Sequence, residues 1–241
     1  APASSALTMG ERVCALLPGG GYAEHVAVDA RLVLPIPAGV DDVAAAGLME
    51  AACTVVSNLD AAGAEAGETL LVHGGSGGVG TLAIQIAKAR GLRVIATAGG
   101  PARTERCLTL GADEALDHRG DWARRVRELG GTDVILDVIG AAYLDFNVSA
   151  LRTGGRLVVI GLQRGARGEL DLGRLLARRA SILGTTLRSR PLAERVAIVE
   201  RVREEVWPLV PERVRPVIHA TVPLARAADA HRMLEAGEVF G

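Results

Sequence analysis

Thr69-Leu-Leu-Val-His-Gly-Gly-Ser-Gly-Gly-Val-Gly80 carries a short apolar run into a glycine cluster, and Thr81-Leu-Ala-Ile-Gln-Ile-Ala-Lys88 leaves it as an amphipathic helix. Within it Gly75, Gly77 and Gly80 have the Gly-x-Gly-x-x-Gly spacing of a dinucleotide-binding turn. Glycines there let a pyrophosphate reach the backbone N–H groups at the helix start, which a side chain would block. The spacing alone is weak, because glycine-rich chains produce it by chance. A strand before it and a helix after it supply the confirming context. Residues 69–87 are uncharged, but the glycines in their middle make them a strand–turn–helix and not a membrane span.

Outward from the turn, apolar strand runs alternate with helical segments. Strands are expected at residues 70–73, 92–98, 114–117, 133–139, 156–160 and 181–187, and helices at 79–90, 103–110, 122–129, 143–151 and 192–206. Runs this apolar argue for a parallel sheet buried on both faces, an α/β doubly wound architecture. Such sheets bind ligands at the carboxyl ends of their strands. The flanks read differently. Residues 11–17 and 22–28 suggest an antiparallel strand pair across Pro18-Gly-Gly-Gly21, residues 213–222 another strand, and 224–236 a helix. A second, β-rich domain assembled from both ends of the chain is expected.

Composition narrows the function. The 241 residues are 49% hydrophobic and 23% charged with a formal net charge of -1, which gives no reason to expect nucleic acid or a membrane surface as partner. Arginine greatly outnumbers lysine, Lys88 being the only one. Three scattered cysteines, Cys14, Cys53 and Cys107, make neither a disulfide framework nor a four-cysteine zinc lobe, so a reducing cytoplasm fits. The opening Ala1-Pro-Ala-Ser-Ser has no basic segment leading into an apolar core, and no signal peptide is expected.

Sites preferring NAD carry an acid about 20 residues past the glycines to hold the ribose 2′-hydroxyl. Here that region is Ala96-Thr-Ala-Gly-Gly-Pro-Ala-Arg103. It has no acid, Gly99 opens space, and Arg103 suits a 2′-phosphate, which favours NADPH over NADH. The alternative leaves Arg103 as a solvated helix residue. His118 and Arg119 point either to the adenosine or to bulk solvent.

These segments together resemble the medium-chain dehydrogenase/reductases, specifically the zinc-independent quinone oxidoreductases. The resemblance spans essentially the whole chain. It rests on Gly10-Glu-Arg-Val, Gly21-Tyr-Ala-Glu-His-Val, Pro35-Ile-Pro-Ala-Gly, Ala44-Ala-Ala with Thr54 beyond it, and the glycine turn. It continues in Gly111-Ala-Asp, Asp137-Val-Ile-Gly140, Gly154-Gly-Arg-Leu-Val-Val-Ile-Gly161 and Ala230-His-Arg-Met-Leu-Glu. Ala15-Leu-Leu-Pro-Gly-Gly-Gly and Leu187-Arg-Ser-Arg190 look most like the stress-inducible subgroup.

The resemblance implies a GroES-like catalytic domain, partial here at residues 1–48, a Rossmann domain at 49–213, and a return segment at 214–241. It implies NADPH in the cleft and hydride transfer to a quinone or similar conjugated carbonyl. Gly75, Ser76, Gly77, Gly78, Val79 and Gly80 would cover the pyrophosphate, and Gly99, Arg103 and His118 the adenosine end. Ile139, Gly140, Ile160, Gly161 and Leu162 would line the ribose and nicotinamide. Thr54 would approach the nicotinamide or, alternatively, pack inside its helix. Relatives begin well before Gly10 and run past Val239-Phe-Gly241, so a chain truncated at both ends is expected. The substrate-side tyrosine of relatives falls in the absent part, and no catalytic acid is assigned. Where zinc-dependent relatives have a cysteine ligand stands Glu50; Cys53 reads as core, His25 and His73 as packed histidines, and no metal is expected. The apolar strand at 181–187 would lie at a sheet edge and pair across a two-fold axis, making a homodimer. Rival readings are an alkenal or enone C=C reductase, a non-catalytic NADPH-binding protein, and a zinc alcohol dehydrogenase.

Overall fold

Two short strands, β1 (Val13–Ala15) and β2 (Val33–Pro35), pair antiparallel, and helices α1 (Asp42–Ala46) and α2 (Met49–Ala61) lead away from them. Then β3 (Thr69–Val72), α3 (Gly78–Ala89), β4 (Arg93–Ala98), α4 (Pro101–Thr109), β5 (Glu114–Asp117) and α5 (Trp122–Glu128) follow. The chain continues through β6 (Thr132–Asp137), α6 (Leu144–Ala150), β7 (Leu151–Val159), α7 (Leu172–Arg178), β8 (Ser181–Gly184), α8 (Leu192–Glu205) and α9 (Ala227–Glu235). This computed structural model describes residues 7–241, so the expectation for the opening five residues lies outside it.

The last six strands form one parallel sheet in the order β5-β4-β3-β6-β7-β8. The chain starts mid-sheet, winds outward through β4 and β5, then crosses back to β6. The direction of winding therefore reverses between β3 and β6, where open α/β sheets leave a crevice. The mixed α/β class expected from the alternation is what the chain adopts.

Both faces of the sheet are buried, as the continuous apolar runs require. Leu71, Ile95, Ile135 and Leu157 stand in register as one row across β4, β3, β6 and β7. They pack with Trp122 and Val126 of α5. Their neighbours Leu70, Val72, Val94, Leu136 and Val158 face the other side, in one core with Val55, Leu82 and Val199 of α2, α3 and α8. Alternation within an all-apolar run thus feeds two cores at once.

The flanks correct two expectations. Residues 22–28 form no strand; β1 pairs instead with β2, with Cys14 opposite Leu34. Tyr22 and Val26 are exposed, so their alternating pattern has no face to bury. Asp29 then caps a short 3-10 turn (Ala30–Leu32) that brings β2 back beside β1. Residues 213–222 form no strand either. The Arg215 N–H donates to Gln85 Oε1 at 2.8 Å and its carbonyl accepts from Gln85 Nε2 at 2.9 Å, so one side chain of α3 takes the place of a strand neighbour. Helix α7, held by an Asp171 cap, has no counterpart among the expected elements. Strand β7 begins at Leu151, earlier than expected, through an irregular register opposite Thr132 and Val134.

Candidate functional site

The glycine turn lies at the carboxyl end of β3, at the switch point. A Cβ on Gly80 would stand 2.1 Å from Gly74 O, and one on Gly75 would stand 2.9 Å from Ala96 Cβ. Helix α3 can therefore start directly against the turn only with glycine at both places. Gly77 caps α3 in an extended conformation without a side-chain bond, so the first-turn N–H groups have no side-chain partner. That bare, positively polarised helix start is suited to an anion. Beside it, the Gly241 N–H donates to Ser76 O at 3.0 Å, and Phe240 lies under the Arg106 guanidinium at 3.6 Å.

Next to the turn, over β4, β5 and β6, lies a cavity of about 240 Å³. Ser76, Gly99, Arg103, His118 and Ile139 all line it, so five residues singled out from sequence converge there. Thr97, Tyr143, Gln163 and Arg164 also line it and were not read from sequence. Arg164 lies in the loop after β7, two residues past the Ile160-Gly161-Leu162 stretch singled out from sequence, and no local pattern marks it. Among the described residues no carboxylate lines the cavity. A Cβ on Gly99 would stand 3.1 Å from His118 Nε2. Arg119 is held bidentate by Asp117, which falls well below the usual carboxylate range chiefly through that bond. Arg103 instead reaches the carbonyl of Gly237 in the C-terminal segment.

Gly140, Ile160, Gly161 and Leu162 form the two loops after β6 and β7, which lean on each other. A Cβ on Gly140 would stand 2.7 Å from Gly165 O, and one on Gly161 would stand 2.8 Å from Val138 O. Ile160 N–H donates to Asp137 O at 2.8 Å. Leu162 is exposed. Thr54 does not line the cavity: it is buried in α2, its hydroxyl donating to Glu50 Oε1 at 2.9 Å and its carbonyl accepting from Asn58 Nδ2 at 2.7 Å.

Beneath the site runs a buried polar chain that sequence reading did not find. His73 Nδ1 lies 2.9 Å from Thr97 Oγ1, and His73 Nε2 lies 2.7 Å from Asn147 Oδ1. Asn147 Nδ2 donates to Asp137 Oδ2 at 3.2 Å, and that carboxylate also accepts the N–H groups of Ile139 at 2.7 Å and Gly140 at 3.1 Å. Asp137 thus pins the loop after β6. Burial pushes its carboxyl above the ordinary range, opposed by those bonds. Burial also lowers His73 to about 4, so the ring is neutral at physiological pH. Trp122 and Tyr143 wall the imidazole in, at 4.6 and 5.0 Å between ring centres.

With this geometry in place, similarity to known proteins is informative. Residues 78–203 match the profile of the zinc-binding dehydrogenase family. Quinone oxidoreductase of Rattus norvegicus is 34% identical over 240 residues, covering 94% of this chain and 69% of that protein. The chain belongs to this family. Within the zinc-binding dehydrogenases it is of the medium-chain, quinone-oxidoreductase-like kind. A mycocerosic acid synthase-like polyketide synthase of Mycobacterium tuberculosis is 36% identical over 251 residues; the alignment takes in the whole chain but only 12% of that protein. Among solved structures, the quinone oxidoreductase of Thermus thermophilus, described also in complex with NADPH, superposes with a TM-score of 0.86 at 36% identity. That match covers 95% of this chain and 74% of the Thermus chain.

The metal in the family's name finds no fitting donor set here. Among the described residues no three His, Cys, Asp or Glu gather as a metal site. Glu50 accepts the Thr54 hydroxyl, and burial pushes the Cys53 thiol up to about 12, beside Met49 Sδ. No helix of the described residues is long and apolar enough to cross a membrane.

Proposed function

We propose that this chain binds NADPH and belongs to an oxidoreductase that passes hydride to a quinone or a similar conjugated carbonyl. The observation that carries the reading is the cavity beside the glycine turn, lined by Arg103, Arg164 and His118 and, among the described residues, by no carboxylate. A ribose 2′-phosphate would meet charge-assisted donors there and no like charge. The Thermus relative, described with NADPH, and the rat quinone oxidoreductase support the same direction.

The residues then divide the work along the sheet. Gly75, Ser76, Gly77, Gly78, Val79 and Gly80 receive the pyrophosphate on backbone N–H groups. Gly99 makes room for the adenosine, while Arg103 and His118 face its 2′-phosphate. Ile139, Gly140, Ile160, Gly161 and Leu162 form the bed of the ribose and nicotinamide, and the Asp137 carboxylate fixes its Ile139 and Gly140 side through two N–H bonds. Thr54 flanks this bed from α2. NADPH supplies the hydride, and the chain's part is to position it and keep water away. Residues 1–48 and 214–241 belong on this reading to the catalytic domain, and 49–213 to the nucleotide domain. The exposed outer strand β8, with Ile182 at the edge of the sheet, is the proposed two-fold contact of a homodimer in the cytoplasm. Light scattering that finds only monomer at micromolar concentration would reject that contact.

The test is NADPH oxidation by the full-length protein with 1,4-benzoquinone and 1,4-naphthoquinone. Turnover of either, with NADPH preferred to NADH, is expected. Failure with both quinones would remove the proposal.

A further inference from the structure

The two segments that resemble the stress-inducible subgroup stand far apart in the chain and meet around one pocket of about 160 Å³. Pro18 and Gly19 form one wall, Leu187 and Arg188 another, and Glu50 of α2 and Arg195 of α8 close it. The approach is tight, since a Cβ on Gly19 would stand 3.0 Å from a terminal nitrogen of Arg188.

Strand order gives this pocket its place. The adenosine cavity lies over β5, β4 and β6, the glycine turn at β3, and the loops proposed for the nicotinamide after β6 and β7. The next strand in that direction is β8. From its carboxyl end the chain enters Thr185, whose N–H donates to Val159 O at 3.2 Å, and two residues later it reaches the pocket at Leu187. The Thr185 hydroxyl bonds Asn58, which in turn bonds the Thr54 carbonyl, so the pocket is tied to the helix that flanks the proposed nicotinamide bed. A nucleotide laid along the sheet in this order ends facing it.

The charges give its chemistry. Arg188 and Arg195 bring two cations and Glu50 one carboxylate. Among the described residues neither guanidinium forms a salt bridge; Asp29, held by Arg31, also feels the Arg195 charge, yet the Arg195 Nε is buried with no hydrogen-bond partner. A buried N–H left without an acceptor is unfavourable, and an anionic oxygen is its strongest partner. Leu16, Leu187 and Pro18 offer an apolar edge beside it. The volume suits a ring edge with its substituent.

We propose that this pocket is the acceptor subsite and that it takes a quinone carrying one anionic group, a carboxylate or sulfonate, against Arg188 and Arg195. This rests on the reading of the chain as an NADPH-dependent quinone reductase. The full-length protein is assayed for NADPH oxidation with 1,2-naphthoquinone-4-sulfonate and with unsubstituted 1,2-naphthoquinone. The readout is the ratio of their kcat/KM values, which cancels effects common to both. That ratio is expected to fall about tenfold in Arg195→Met and in Arg188→Gln, mainly through KM for the sulfonate. It stays unchanged in Arg124→Gln, on the exposed face of α5. If Arg195→Met does not fold, the exposed Arg188 decides alone. A ratio within about twofold of the unaltered protein in the folded variants overturns the subsite. No oxidation with either quinone overturns instead the reductase reading on which it stands.

Discussion

The glycine turn and the segment at 213–222 both lie against α3, and they are held in opposite ways. At the start of the helix the contact is backbone on backbone: Gly80 fits because a Cβ there would stand 2.1 Å from Gly74 O. One turn further along, the contact is side chain on backbone, with Gln85 bonding both the N–H and the carbonyl of Arg215. The first arrangement follows from residues a few positions apart. The second joins residues a long way apart and borrows a side chain to do what a strand would do. The turn is therefore rigid by necessity of close approach, whereas at Arg215 both main-chain groups of the flank depend on one side-chain amide.

The strongest way to break this comparison is Gly80→Ala. A methyl group within the turn forces α3 away from β3, because the atom it meets is main chain and cannot swing aside. Destabilisation on the order of 4 kcal/mol is expected, with NADPH affinity falling about 100-fold or more. Thermal unfolding and a fluorescence titration with NADPH measure the two. A variant that binds NADPH normally would show that the close approach does not govern the site.

The floor of the turn gives the next test. His73 is neutral when folded, at about 4, whereas an unfolded histidine takes a proton near 6.5. Between those values the unfolded chain binds more protons, so stability present above pH 6.5 is lost as pH falls toward 4. The loss reaches about 3 kcal/mol for full expression of that shift. Asp137 opposes it, since its raised carboxyl takes up a proton more readily in the folded state. In His73→Gln the amide keeps a donor and an acceptor but does not titrate. Denaturant midpoints from pH 7 to pH 4 should then flatten relative to the unaltered protein. Equal slopes in both proteins would mean that the acid sensitivity arises elsewhere.

What was legible in the sequence follows the same division. The sheet could be read because its central strands are buried on both faces and helices such as α4 and α5 start at a local signal, Gly100-Pro101 in one and the Asp121 cap in the other. The adenosine cavity could be read in part, because Gly99 and Arg103 sit at fixed offsets from the turn. Arg164 and the chain from Thr97 to Asp137 could not, since His73, Asn147 and Asp137 come from three different elements and only the folded sheet brings them together. Strand-like alternation at 22–28 and 213–222 misled for a physical reason. Alternation records a face that can be buried, and among the described residues neither segment has a strand beside it with which to form a ladder.

Gln85→Leu separates the two regions most cleanly, with the smallest expected effect. The leucine fills the same space in α3 but leaves the Arg215 N–H and carbonyl without their partner. Loss of the pair should cost about 2 kcal/mol, most of it from those unpaired main-chain groups. The effect should stay local. Cleavage by trypsin after Arg213 should become much faster, while NADPH affinity holds, because the glycine turn does not depend on the amide. A parallel loss of NADPH binding would show instead that the return segment helps set the turn, and the contact of Gly241 N–H with Ser76 O is the route by which it would do so.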